Sequence, residues 1–113
     1  IRKTLQFSQL PIVGLLCTYL GLAPALSYAQ PSGGRLVAGQ AEVTHLDGST
    51  RIDQLTNRAI INWQDFSIAH GTNVNIYQPN SKAALLNRVT GFSPSHLNGN
   101  LTANGKVFLI NPN

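Results

Sequence analysis

Cysteine is almost missing from this chain: its 113 residues hold one, Cys17, inside an apolar stretch near the start. A disulfide framework, the usual support of small exported domains, is therefore excluded. Charge is also scarce, at 11% of residues. That excludes a highly charged disordered chain and argues against a helical bundle, whose outer faces are filled with Glu and Lys. Beyond Arg2-Lys3 the basic residues stand singly, so the basic patch of a nucleic-acid binder is missing. The three histidines, His45, His70 and His96, lack ligand-like spacing, and no Cys lies near them to complete a zinc site. Glycine-rich phosphate loops and a nucleophile elbow are likewise absent. No catalytic residue, metal or cofactor is assigned from these residues. The chain's length fits one small domain.

The first residues follow the charged, apolar, small-residue layout of a secretory signal peptide. Arg2 and Lys3 open it, an uncharged stretch runs from Leu10 to Leu22, and Ser27-Tyr28-Ala29 supplies small residues before Gln30. The stretch holds about 13 residues, against the roughly 20 of a spanning helix. Residues 1–29 are assigned to the signal, with cleavage between Ala29 and Gln30. The 113 residues less these 29 leave 84, and losing Arg2 and Lys3 lowers the formal charge from +4 to +2. The apolar run at the end looks unfinished, so the domain is expected to be incomplete at its C-terminus and of marginal stability as isolated residues 30–113.

Residues 30–34 read as a flexible leader. Short strands then follow: Leu36–Ala38, Ala41–Leu46, Thr50–Leu55, Arg58–Trp63, Thr72–Tyr77, Asn100–Ala103 and Lys106–Ile110, with Asp47-Gly48 and Asn104-Gly105 as turns. Val74 and Ile76 share one face of their strand and Asn73, Asn75 and Tyr77 the other. Ser81–Val89 suits a helix by local propensity, but its neighbours favour a strand. Ser93–Leu97 adds one helical turn, capped by Ser93 with Pro94 in first position. The spacing implies an all-β fold; sandwich, barrel and solenoid all satisfy it. Abundant Asn beside the turns favours a solenoid, where such residues cap turns and form ladders.

Three stretches carry a more specific signal: Ala59–Ile68 with its Asn62-Trp63-Gln64-Asp65-Phe66 centre, Leu86–Gly91 with Asn87-Arg88-Val89, and Leu101–Asn113 ending in Asn111-Pro112-Asn113. In this order and spacing they resemble the N-terminal secretion domain of filamentous-haemagglutinin-type exoproteins, the haemagglutination activity or two-partner-secretion domain. The resemblance covers about residues 35–113. It implies a right-handed parallel β-helix, here the N-terminal cap and first coils, cut short at the C-terminus. It implies export through the general secretory translocon, then recognition in the periplasm of a Gram-negative cell by an Omp85-type outer-membrane transporter through its POTRA domains. The host cell surface is a further contact. The destination is the cell exterior or surface, and the passenger an adhesin, haemolysin or contact-dependent toxin.

Asn111, Pro112 and Asn113 match the start of the family's Asn-Pro-Asn-Gly motif and are read as stabilising a β-turn whose integrity secretion needs. With Asn87 and Arg88, which shape a turn ahead of contacting the partner, they form the expected partner-recognition or secretion motif. Gln78-Pro79-Asn80-Ser81 departs from the family's second motif. Trp63, Phe66 and Phe108 are read as core aromatics. An adhesive module that binds host glycans or proteins directly is the alternative function. A polysaccharide-cleaving β-helix enzyme is a weaker one, since it needs convergent carboxylates and the exported part holds only Glu42, Asp47, Asp53 and Asp65.

Overall fold

A computed structural model of the chain describes residues 29–113. The expected signal segment before Ala29 lies outside the described residues.

Among the described residues there are eight strands and no helix: β1 (Arg35–Ala38), β2 (Ala41–Leu46), β3 (Ser49–Gln54), β4 (Arg58–Trp63), β5 (Asn73–Tyr77), β6 (Ala84–Val89), β7 (Asn100–Ala103) and β8 (Lys106–Ile110). They form two four-stranded sheets, ordered β1-β4-β6-β8 and β2-β3-β5-β7. The chain alternates between the sheets, so β3–β4, β5–β6 and β7–β8 lie as three successive levels. Neighbouring levels pair in parallel, Arg58 with Ala84 and Ala84 with Lys106 on one side, Ser49 with Asn73 and Asn73 with Asn100 on the other. At one end β1 and β2 add antiparallel to β4 and β3. The β2–β3 hairpin closes through Asp47-Gly48, where Gly48 supplies the positive φ of 71° that the tight loop requires.

Period-two alternation explains the interior. Ile52, Val74, Ala59, Ile61, Trp63, Leu85 and Val89 point between the sheets and are buried. Such side chains contribute about 1.5–3 kcal/mol each when removed from water. Phe66 and Ile68 extend this core beyond β4. One corner carries amides instead. Gln78 Nε2 donates to Gln54 Oε1 at 3.0 Å and to the Lys106 carbonyl at 2.9 Å, while Gly105 N–H donates to Gln78 Oε1 at 2.7 Å. These bonds satisfy polar groups that burial would otherwise penalise.

Ala84–Val89 is a strand, β6, as its neighbours favoured, because pairing with both β4 and β8 outweighs a weak helical preference. Elsewhere the structure differs from the sequence expectations. Residues 93–97 form no helical turn: the His96 carbonyl accepts Ile68 N–H at 2.9 Å, and Leu97 makes a parallel bridge with Ile68. The leader is tied down, with Pro31 buried and Ser32 bridged to Asp65. Phe108 is corrected from a core aromatic to an outward-facing one, 54% exposed. Alternation along β8 turns Val107 and Leu109 inward and sends Phe108 out beside Leu86.

Candidate functional site

The end of β8 runs into Asn111-Pro112-Asn113 at the corner opposite the glutamine pair. Asn113 N–H donates to Asn111 Oδ1 at 2.9 Å, an Asx-type turn across Pro112. Both amide side chains then reach the corner loop of the level below. Asn111 Nδ2 donates to the Ser93 carbonyl at 3.0 Å and to Ser95 Oγ at 2.9 Å. Asn113 Nδ2 donates to the Gly91 carbonyl at 2.8 Å. Gly91 is buried against the preceding corner, where an added Cβ would stand 2.1 Å from the Gln64 carbonyl oxygen. The motif thus clamps a loop already pressed against the body.

Asn87 and Arg88, adjacent in sequence, fall on opposite faces of β6. Asn87 is fully buried; its Oδ1 accepts from Trp63 Nε1 at 2.9 Å and its Nδ2 donates to the Phe108 carbonyl at 3.3 Å. It is a packing residue linking three levels, the structural one of its two expected roles. Arg88 faces outward, half-buried, with Nε donating to Asn62 Oδ1 at 2.9 Å. Trp63 and Phe66 are both fully buried and meet edge to face at 5.5 Å. Ala29 and Gln30 lie apart from the motif: the Ala29 carbonyl accepts Ala69 N–H at 3.0 Å, and Gln30 Nε2 donates to the Leu46 carbonyl at 3.1 Å.

Charged chemistry is sparse. Glu42 and Asp53 face one another across β2 and β3, but both Asp53 oxygens accept from Arg51, at 2.9 Å for the closest pair. This hydrogen bonding raises the Arg51 guanidinium above its ordinary pKa, and the guanidinium also lies 4.1 Å over the Tyr77 ring. His45, partly covered beside Thr50, is held below its ordinary value of 6.5 by desolvation. No group of three or more metal-ligating side chains occurs among the described residues.

The profile of the TPS secretion domain matches residues 28–113. The chain belongs to this family. The chain is 40% identical over 99 residues to the heme/hemopexin-binding protein of Haemophilus influenzae strain Rd, covering 88% of this chain and 11% of that protein. A second Haemophilus influenzae heme/hemopexin-binding protein is 41% identical over 101 residues, with the same coverage. The chain thus spans about a tenth of these relatives' length. The crystal structure of the HMW1 secretion domain from Haemophilus influenzae superposes with a TM-score of 0.69 at 41% identity, covering 74% of this chain and 22% of that one.

Sequence reasoning missed the residues that the TPS domain's motif holds, Gly91, Ser93 and Ser95, and the buried pair Gln54 and Gln78. For the glutamines a signal existed: they lie 24 residues apart, the separation that also joins Trp63 to Asn87.

Proposed function

We propose that this TPS domain is the secretion-targeting front of a larger exported exoprotein, recognised by a partner outer-membrane transporter through that partner's periplasmic POTRA domains. It is a recognition domain and not an enzyme. Its stack is the capped beginning of a right-handed parallel β-helix, with residues 1–29 as the signal that delivers it to the periplasm. The observation that carries the reading is the clamp. Asn111 and Asn113 spend their amides on the backbone of loop 91–95, so the motif acts by fixing the shape of one corner. A fixed corner gives a partner a preorganised surface, which lowers the cost of binding.

Capture on immobilised periplasmic domains of the transporter tests this. The chain is expected to be retained, and retention to fall at least about tenfold when Asn111 and Asn113 are both replaced by Ala, a loss of about 1.4 kcal/mol. Equal retention of the variant would reject the reading.

A further inference from the structure

The clamped loop carries Phe92, which at 91% is the most exposed large apolar side chain among the described residues. The backbone on both sides of it is fixed. Asn113 Nδ2 holds the Gly91 carbonyl at 2.8 Å, and Asn111 Nδ2 holds the Ser93 carbonyl at 3.0 Å. Gly91 itself packs so closely on Gln64 that even a methyl group has no room there. A phenyl ring fully in water is unfavourable in a monomer and adds nothing to the core. The same ring on a rigid backbone is the kind of group that dominates an interface, because little entropy remains to be lost on docking.

We propose that Phe92 is the anchor through which the domain engages its transporter, its ring entering an apolar pocket of the periplasmic domains. Asn111 and Asn113 are then positioning residues that aim it. This rests on the secretion reading above and deepens it. The chemistry of the pocket follows from the loop: residues 90–98 contain no Lys, Arg, Asp or Glu. The loop thus brings no full charge to the ring's contact, Asp65 lying in the adjoining pocket beside Ser93 and Pro94. The ring's share of the binding is expected to respond weakly to salt, unlike an encounter steered by charge. The outward apolar side chains Leu86 and Phe108 lie along a sheet, without such a bracket.

Titration calorimetry of the full chain with the transporter's soluble periplasmic domains tests the assignment. Phe92→Ala is expected to weaken binding at least about tenfold without changing the melting temperature, and Phe92→Trp to stay within about threefold. Asn113→Ala is expected to weaken binding by about three- to tenfold in the native background and not at all in the Phe92→Ala background, the signature of a residue acting through another. Raising salt about tenfold is expected to change the affinity ratio of native to Phe92→Ala by less than about threefold. Phe92→Ala binding within twofold of native would overturn the proposal while leaving the secretion reading intact. So would a strong loss of that ratio with salt, or a Phe92-dependent dimer that does not bind the transporter. No binding by the native chain would overturn both.

Discussion

Two side chains set distinct tests, Asn87 in the buried core and His45 on β2, where it is exposed. The Trp63 indole N–H has its partner in Asn87 Oδ1 at 2.9 Å, in a fully buried position. Asn87→Ala strands that donor and is expected to cost about 1–3 kcal/mol in urea unfolding. The double change Trp63→Phe with Asn87→Leu removes both partners and should recover part of the loss. His45 tests pH dependence. Desolvation holds it below its ordinary 6.5, so as pH falls past that value the unfolded chain takes up the proton first. Stability is then present above about 6.5 and lost as pH drops, flattening once the folded ring titrates. The melting temperature should fall between about pH 7 and pH 5, and His45→Gln should flatten that segment. A profile unchanged by the substitution would assign the slope to other groups.

At the scale of elements, two glycines separate conformational cost from crowding. Gly48 closes the β2–β3 hairpin at φ 71° with open space around any added Cβ. Gly48→Val should cost about 1–2 kcal/mol from backbone strain, and Gly48→Asn much less. Gly91 has no such angle to maintain, but its added Cβ would meet the Gln64 carbonyl oxygen at 2.1 Å. Gly91→Ala should cost about 1–3 kcal/mol and free the Asn113 amide, detectable as a shift of its side-chain NMR resonances. The strands themselves were legible because alternation is local, as Val74 and Ile76 of β5 illustrate. β6 was ambiguous because its strand character comes from β4 and β8, neither of them adjacent in sequence. The stacking was hidden by unequal spacing. Trp63 meets Asn87 24 residues on, Asn62 meets Arg88 at 26 and Asn73 meets Asn100 at 27, so no fixed period runs through the chain. The motif was visible as letters, while its targets, the carbonyls of Gly91 and Ser93, are set only by the meeting of two corners.

For the molecule as a whole, the two ends of the stack differ. β1 and β2 are the outer strands at one end, paired antiparallel, and β7 and β8 the outer strands at the other, paired parallel. Hydrogen exchange should therefore be slowest in β3, β4, β5 and β6, which have a neighbour on both sides, and faster in β1, β2, β7 and β8, which have one on a single side. Uniform protection across all three levels would contradict this. Such an arrangement suits stepwise growth, each level contacting mainly its neighbours. The exposed edge strands also offer further pairing. The central claim is that this domain directs export through a partner transporter. Its most direct test is the amount of the exoprotein outside the cell, measured with and without the transporter, for the native domain and for Asn111→Ala/Asn113→Ala. The account predicts transporter-dependent export that the double substitution lowers at least about tenfold. Export that proceeds equally without the transporter, or equally with the clamp removed, would contradict it.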